Sequence, residues 1–376
     1  MPNTLTAIAP TLFSAAKEVA AEPFGVVSAL NANFDDKGVA RGDTVSVPIA
    51  PVRGASDFTP AATTSAGTDG TATTTGVTIT KSRKVDWHLT GEQLRSLQNG
   101  NTDQDWAKQL VMQGMRTLRN ECEVDAALAV KVGASRAIGT AGTTPFASTL
   151  DPFVDSRKIL HDNGAPMADM QFVGDTSAGA NLRKLGVVQN HYQAGSDEER
   201  RSGVLQRQFG FMPRESAGVT IHTKGTGAAY TTNAAGYAVG ATAITVITGT
   251  GTILAGDVLA FAGDTNRYVV ATALTGGVVT LAAPGLRVAI AASATAVTVG
   301  NNYTANLAFE RNAVVGIMRP PLIPANPIIS QMPVSDSLGM TYLMLEIAQY
   351  GMISWELHLA WGFKTVNPEF SAIVLG

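Results

Sequence analysis

The stretch that decides the fold runs from Asn101 to Gly133 and reads NTDQDWAKQLVMQGMRTLRNECEVDAALAVKVG. Its start suits a helix, because Asn101 or Thr102 can cap the first turn and acids follow where the helix dipole favours them. Apolar side chains then recur at steps of three and four residues: Ala107, Val111, Met115, Leu118, Cys122, Ala129 and Val132. We predict one helix of about thirty residues and about 45 Å, the spine of a broad, flat molecule.

The polar residues of this helix predict two different environments. Arg116, Arg119 and Glu123 fall off the apolar stripe, so we expect them to point away from the core. Asp125 falls on the apolar side, beside Cys122. A buried acid must be paired or hydrogen-bonded, so we expect a neighbouring arginine or a backbone donor to satisfy Asp125. A structural role is favoured over a catalytic one.

Composition limits the classes of function. The 376 residues include 27 Lys plus Arg and 30 Asp plus Glu, a net charge of -3, so no basic excess favours a nucleic-acid-binding protein. Charged residues make up 15% and hydrophobic residues 45%, which predicts ample cores and a neutral surface. The single cysteine, Cys122, excludes an intrachain disulfide and a cysteine-rich zinc module, and it suits a reducing compartment.

Neither a secretory signal nor a membrane span is expected. Met1–Pro10 carries no basic residue before an apolar run, unlike a signal peptide. The long uncharged stretches Thr226–Gly256 and Tyr268–Leu286 are rich in glycine and threonine. Such residues suit short strands in water better than a helix in lipid.

Upstream of the long helix, the pattern predicts an arm and a hairpin. Leu12–Ala21 suits a short helix that Pro23 stops. Gly42–Ile49 and Gly76–Lys81 alternate like half-buried strands, and Thr59–Thr80 between and around them holds ten threonines. We predict a long two-stranded hairpin whose tip projects from the body. Since an isolated hairpin is marginal in water, we expect its base to rest on another element.

Downstream of the long helix, mixed elements are predicted. A second helix extends from Ser148 or Thr149 to Asp162, a strand covers Met170–Val173, and a short helix covers Ser177–Leu185. The charged run Ser196–Arg201 is typical of an exposed loop. These elements, with the strands upstream, predict a mixed α+β fold.

The segment Gly225–Gly300 differs in composition from the rest of the chain, since only four of its residues are charged. Four strand-like pieces are separated by Gly-Asp-Thr-Asn and Gly-Gly turns: Thr242–Thr248, Asp257–Ala262, Arg267–Thr272 and Val278–Ala283. We predict a small antiparallel β-barrel inserted into the mixed host.

No motif in the sequence predicts catalysis or a cofactor. Asp175–Gly179 only partly resembles a nucleophile or aspartic-peptidase motif, and a helix N-cap explains Asp175 better. Asp264–Asn266 is better explained as a hairpin turn. The five histidines lack metal-ligand spacing, and no glycine-rich phosphate loop occurs. We expect no enzyme activity, catalytic residue, cofactor or metal.

Several stretches, taken in order, resemble the major capsid (coat) proteins of tailed bacteriophages, in particular the branch with an inserted β domain. They are Asn3-Thr4-Leu5 before Gly42–Val45, then Val85–Leu97 with Leu89-Thr90-Gly91-Glu92-Gln93-Leu94, then Asn306–Ala313 running to Pro320, and finally Leu357–Pro368 with Trp361-Gly362-Phe363-Lys364. The resemblance implies the Hong Kong 97-type capsid fold, with a long spine helix, an extended hairpin called the E-loop, and a small antiparallel β-barrel insertion.

The resemblance also implies a division into segments. They are an N-terminal arm (1–35), the E-loop hairpin (36–86), a peripheral domain with the spine helix (87–136), an axial domain (137–224), the inserted β domain (225–300), the axial domain continued (301–325) and the peripheral domain's C-terminal strands (326–376). On the hairpin and the strand after it, we expect eight residues to contact neighbouring subunits: Arg53, Asp57, Thr63, Thr68, Thr74, Lys81, Arg83 and Lys84.

The implied function is self-assembly, as hexamers and pentamers, into an icosahedral shell that encloses phage double-stranded DNA without sequence-specific binding. Scaffolding, portal or decoration proteins are further expected partners, and no membrane is. The implied location is the virion capsid, after assembly in the host bacterial cytoplasm. Two alternatives stay open. A surface-exposed β-rich binding protein fits the Thr/Gly-rich strands but needs a secretion signal, and a hydrolase needs convergent titratable groups.

Overall fold

The computed structural model describes residues 22–34, 38–49, 55, 57, 60, 73–99, 103–190, 202–324, 329–336 and 339–376. Helices account for 23% and strands for 41%, which confirms the mixed fold class. The predicted arm helix Leu12–Ala21, the cap residues Asn101 and Thr102, and the loop Ser196–Arg201 lie outside the described residues.

The helices and strands are numbered in chain order. The helices are α1 (Val26–Ala29), α2 (Gly91–Asn99), α3 (Asp103–Gly133), α4 (Asp151–Asp162), α5 (Thr176–Lys184) and α6 (Gly186–Gln189). The strands before residue 225 are β1 (Asn31–Phe34), β2 (Thr44–Ile49), β3 (Thr73–Thr78), β4 (Lys81–Thr90), β5 (Arg136–Gly139), β6 (Met170–Gly174), β7 (Phe211–Glu215) and β8 (Ile221–His222). The later strands are β9 (Tyr230–Thr232), β10 (Ala243–Ile247), β11 (Val258–Phe261), β12 (Arg267–Thr275), β13 (Val278–Leu281), β14 (Ala296–Val299), β15 (Tyr303–Glu310), β16 (Val314–Arg319), β17 (Ile329–Ser335), β18 (Thr341–Gln349), β19 (Met352–Thr365) and β20 (Ser371–Leu375).

The long helix α3 spans 31 residues, which confirms the predicted rod. Its buried positions include Leu118 and Cys122, as the sequence predicts. In the last turns, however, Ala126, Ala127 and Val130 are buried, whereas Ala129 and Val132 are only half-buried. The predicted stripe is therefore wrong there. The physical reason is that α3 is covered on two sides, by α1 and by β19, so its buried face is wider than one stripe.

Within the described residues, one large sheet has six strands: β17, β18, β19, β16 and β1 in order, with β4 also paired to β19. The 14-residue strand β19 is its centre. Residues 352–361 of β19 pair with β4, and residues 352–358 and 360–365 pair with β18 and β16. The helix α3 packs on β19 and β4, and their shared core includes Trp361, Leu357 and Leu359.

The base of the predicted hairpin is present as the antiparallel pair β2–β3, from Thr44 opposite Thr78 to Ile49 opposite Thr73, and the predicted tip lies largely outside the described residues. The base does rest on the six-stranded sheet, as expected, because Val77 and Ile79 are buried against Ile317 and Ala360. Gly362 is required at this crossing, since a Cβ there would lie 2.1 Å from the Thr78 carbonyl oxygen. The hairpin therefore begins from a close-packed base.

The second large sheet, of twelve strands in the described chain, centres on β15, which pairs with β20 and β6. Two strands belong to a different sheet from the strand that precedes them. β15 lies in the twelve-stranded sheet and β16 in the six-stranded sheet, whereas β19 lies in the six-stranded sheet and β20 in the twelve-stranded sheet. The reason is that the chain changes sheets at two short 3-10 turns, Arg311–Ala313 and Pro368–Phe370.

The strands β9–β14 lie within 225–300, and four of them match the predicted strand-like pieces. The pairings run β11, β14, β9, β10, β13, β12, and β12 also pairs with β11. These six strands, called the inserted unit below, enclose their own apolar cluster, which includes Ile244, Leu259, Tyr268 and Val279. The inserted unit joins the host sheet through β12 and β5, where Tyr268 lies opposite Arg136.

Candidate functional site

The eight residues predicted to contact neighbouring subunits fall into three groups. Arg53, Thr63 and Thr68 lie outside the described residues. Asp57 and Thr74 are both exposed, and Thr74 lies on β3 of the hairpin. The three basic residues, Lys81, Arg83 and Lys84, lie on β4, where the hairpin meets the six-stranded sheet.

Lys81 is held by the long helix of its own subunit. Its Nζ lies 2.8 Å from both carboxylate oxygens of Asp125. The indole Nε1 of the fully buried Trp361 donates to the same carboxylate at 2.7 Å. Asp125 is therefore a structural acid, as predicted, but its partners are a lysine and a tryptophan rather than an arginine or a backbone donor. The Lys81 side chain is still 44% exposed.

Arg83 and Lys84 also have partners in the same subunit. Arg83 Nε donates to Glu121 of α3 at 3.0 Å, with both side chains well exposed. Lys84 Nζ donates to Glu356 of β19 at 2.5 Å, and this hydrogen bond raises the pKa of the Lys84 ammonium. All three basic residues thus fasten β4, and with it the base of the hairpin, to α3 or β19.

The buried carboxylate of Glu123 is the feature that sequence reasoning missed. Glu123 is 1% exposed, so the expectation that it points away from the core is wrong. It accepts hydrogen bonds from the backbone N–H groups of Val26 and Val27 at 3.0 and 3.2 Å, and from the Ser216 hydroxyl at 3.0 Å. Burial raises the pKa of the Glu123 carboxyl. Glu123 thus joins α3 to α1 and to the segment after β7.

The two arginines of the same helix face hold the residues just before α1. Arg116 forms a bidentate pair with Glu22, with Nε 2.7 Å from Oε2, and this hydrogen bonding lowers the pKa of Glu22 to about 2. The Arg119 guanidinium lies 3.8 Å from the centre of the Phe24 ring, a cation–π contact. The spacing of residues 116, 119 and 123 is helical, and that polar stripe is the signal from which a second packed face could have been predicted.

The residues weighed for catalysis have structural contacts. Asp175 caps α5, accepting from the Ala178 N–H at 2.9 Å, as predicted. Asp264 accepts from the Asn266 N–H at 2.8 Å within the predicted turn. In the part of the chain that the structure describes, no three His, Cys, Asp or Glu residues are grouped as metal ligands. Nor does any helix of the described ranges have the length and apolar character to cross a membrane.

Comparisons with known proteins place this fold. No protein-family model matches the chain, and no curated protein matches it in sequence. Among solved structures, the capsid of the cyanophage P-SCSP1u aligns over 100% of this chain and 95% of its own, with a TM-score of 0.50 and 12% identity. The asymmetric unit of the mature capsid of bacteriophage PhiM1 aligns over 93% and 86%, with a TM-score of 0.46 and 9% identity. A structure from Mycobacterium phage Che8 aligns over 89% and 85%, with a TM-score of 0.43 and 12% identity.

The fold is therefore that of a phage capsid protein. The cyanophage P-SCSP1u capsid is similar in fold to this chain over its full length. This fold agrees with the fold that the resemblance in sequence implies.

Proposed function

We propose that this chain is a major capsid protein that assembles into an icosahedral shell enclosing phage double-stranded DNA. The observation that carries the proposal is the full-length likeness in fold to a phage capsid, which includes both large sheets and the long helix. Sequence identity to that structure is low, so assembly itself is the property to measure. We propose that the chain assembles in the bacterial cytoplasm as hexamers and pentamers. These form the shell of the virion, which is the proposed final location of the protein.

The hairpin β2–β3 is the proposed E-loop and the first contact surface between subunits. A shell needs many modest contacts, and a threonine-rich hairpin offers hydrogen bonds and apolar contact with little charge to desolvate. Within this proposal, eight residues contact the neighbour: Arg53, Asp57, Thr63, Thr68, Thr74, Lys81, Arg83 and Lys84. The ion pairs of Lys81, Arg83 and Lys84 support a second role for these three residues, which is to set the direction of the hairpin.

The sheets support a revised division into domains. In this proposal, the peripheral domain combines α3 with the six-stranded sheet, including β16, and the axial domain combines β5, β6, β7, β15 and β20. The inserted unit is proposed to be a small antiparallel barrel. Its support is the ring of pairings, in which β11 pairs with both β14 and β12 around a shared apolar cluster.

The proposed partners beyond a second copy of the chain are scaffolding, portal or decoration proteins, and the enclosed DNA. Contact with DNA is proposed to be weak and independent of sequence. The net charge of -3 supports weak contact, because it offers no basic excess to displace phosphate counterions. We propose no enzymatic activity and no membrane association.

The test of the proposed function is assembly of the purified full-length chain, measured by light scattering and electron microscopy. Particles in the megadalton range support a capsid protein, whereas a steady 39.0 kDa monomer contradicts it and favours a binding protein or a hydrolase. Deleting Thr59–Gly76 should leave a folded subunit that assembles poorly. A matched control replaces the same residues with a glycine-serine linker of equal length. Normal shells from the deletion would show the E-loop assignment to be wrong.

A further inference from the structure

Three buried polar side chains meet where the inserted unit joins the host. Lys131 lies in the last turn of α3, His222 ends β8 just before the inserted unit, and Asp257 precedes β11 inside it. Their exposed fractions are 8%, 6% and 1%. A buried charge is costly unless it is paired and hydrogen-bonded. Each of these three side chains therefore needs a hydrogen-bond partner inside the protein.

The three side chains are linked by two hydrogen bonds. Lys131 Nζ lies 3.3 Å from His222 Nδ1, and His222 Nε2 lies 2.8 Å from Asp257 Oδ1. An ammonium can only donate and a carboxylate can only accept. With Lys131 as the donor and Asp257 as the acceptor, His222 Nδ1 accepts and His222 Nε2–H donates. His222 bridges a buried cation and a buried anion that belong to different parts of the fold.

Both connections of the inserted unit converge on this point. Asp257 accepts from the backbone N–H of Gly225, where the chain goes into the unit, at 3.2 and 3.1 Å. Tyr303, where the chain leaves it, donates its hydroxyl to the Gly256 carbonyl at 2.6 Å and packs its ring 5.1 Å from that of His222. Gly256 adopts φ +91°, a conformation that favours glycine, and a Cβ there would make a tight contact of 3.1 Å with His222 Cε1.

Other polar contacts join the unit to the strand that follows α3 and to the end of α4. Arg267 donates to the Gly139 carbonyl of β5. Arg287 donates to the Asp162 carbonyl of α4 at 3.4 Å. Arg136 of β5 donates to Asn266 at 3.0 Å, and β12 pairs with β5 over two residue pairs. Lys131 and Arg136 are five positions apart, on either side of the end of α3. The attachments of the unit thus lie at the C-terminal end of α3, on β5 and at the C-terminal end of α4.

We propose that Lys131, His222 and Asp257 form a buried hydrogen-bonded relay that locks the inserted unit to the C-terminal end of α3. The unit then keeps a fixed orientation to the helix and follows any displacement of the helix end. The proposal concerns a single subunit, so it stands or falls independently of shell formation.

The test is hydrogen exchange measured by mass spectrometry on the full-length chain. His222→Leu removes both hydrogen bonds and leaves two buried charges without the bridge. We expect residues 128–133, 222–226 and 254–258 to exchange about tenfold faster or more, because an unsatisfied buried group is costly. His222→Gln can still accept from Lys131 and donate to Asp257, so it should stay close to wild type. His161→Leu, at an exposed position of α4, is the matched control and should change nothing in these segments.

Three results would overturn the proposal. Wild-type exchange in His222→Leu would mean that no lock exists. Equal loss of protection in His222→Gln and His222→Leu would mean that ring packing, and not the relay, holds the junction. If His222→Leu also loses protection in β1 and β16, it is unfolded, and Lys131→Met becomes the deciding variant. That variant removes only the link to α3, so unchanged exchange in the same three segments would contradict the lock.

Discussion

The middle and the C-terminal end of α3 hold their neighbours by different means. In the middle, Asp125 and Glu121 fasten the base of the hairpin through ion pairs whose basic members are 44% and 55% exposed. At the end, Lys131 reaches the inserted unit through side chains that are almost fully buried. Exposed ion pairs contribute about 0 to 1 kcal/mol, whereas breaking a buried pair costs about 3 to 5 kcal/mol. The contacts of Asp125 and Glu121 are therefore expected to cost little to break and are called the adjustable attachment below. The contact of Lys131 is expected to cost more to break and is called the fixed attachment.

The largest effect is expected at the fixed attachment. Asp257→Ala leaves His222 and the N–H groups of Gly225 and Leu254 without their acceptor, and it leaves the Lys131 ammonium without its counter-charge. We expect a loss of about 3 kcal/mol or more in the free energy of unfolding, measured by urea titration followed by circular dichroism. Asp155→Ala, on the exposed face of α4, is the control and should stay within about 0.5 kcal/mol of wild type.

At the adjustable attachment, two substitutions of Asp125 separate charge from hydrogen bonding. Asp125→Asn loses the ion pair with Lys81 but keeps an acceptor for the Trp361 indole, so we expect a loss below about 1 kcal/mol. Asp125→Ala leaves the buried indole N–H unsatisfied, so we expect about 1 to 3 kcal/mol. Equal losses in the two variants, measured by the same urea titration, would show that the ion pair dominates and that the comparison drawn above is wrong.

The buried carboxyl of Glu123 predicts a pH dependence of stability. Its pKa is raised by burial, so between the ordinary glutamate value of about 4.3 and the raised value the folded chain binds more protons than the unfolded chain. Stability should therefore fall as the pH rises through this window. In Glu123→Gln that contribution should be missing, which is seen by comparing urea titrations of the two proteins across the window. Identical slopes in both would contradict it.

Glu22, which pairs with Arg116 of α3, predicts a pH dependence of stability of the opposite sign. Arg116 lowers the pKa of Glu22 to about 2, so its contribution is present above the ordinary glutamate value of about 4.3 and is lost as the pH falls through about 2. Arg116→Gln should reduce this loss on acidification. Because both side chains are partly exposed, Arg116 at 29% and Glu22 at 31%, the effect should also shrink in high salt.

The smallest effect is expected for Arg83→Ala. The Arg83–Glu121 pair is exposed, so we expect a change of about 0.5 kcal/mol or less, and none in high salt. A larger and salt-independent loss would mean that the base of the hairpin is held as firmly as the inserted unit. Lys364→Ala, which loses a single donor to the Gly76 carbonyl, is a matched comparison on the neighbouring strand.

Much of the fold follows from local sequence pattern. The 3.6-residue period gave the length of α3, alternation located β2 and β3, and turn chemistry located the inserted strands. Burial of Glu123 did not follow, because a one-stripe reading assumes one packed face, whereas α1 and β19 cover α3 on two sides. The sheet to which β20 belongs did not follow either. An apolar run such as Ile373-Val374-Leu375 indicates a buried strand but does not specify its partner.

The relay at the end of α3 could not have been predicted from residue types. Lys131, His222 and Asp257 are separated by 91 and 35 positions, and none of them stands in a recognisable motif. Tertiary pairing of β8 with β15 brings His222 beside Tyr303, and the turn at Gly256 brings in Asp257. The eight interface residues stay predictions: Arg53, Asp57, Thr63, Thr68, Thr74, Lys81, Arg83 and Lys84.

The order of strands in the six-stranded sheet has a consequence for synthesis on the ribosome. β1 pairs with residues 315–318, and β4 pairs with residues 352–361. Neither early strand can form this pairing until its late partner has been translated, which happens when most of the chain has already been made. Contacts so distant along the chain slow folding and leave strand edges exposed. We therefore expect the nascent chain to bind chaperones. The yield of folded protein should depend on chaperones more than it does for a protein whose early strands pair locally.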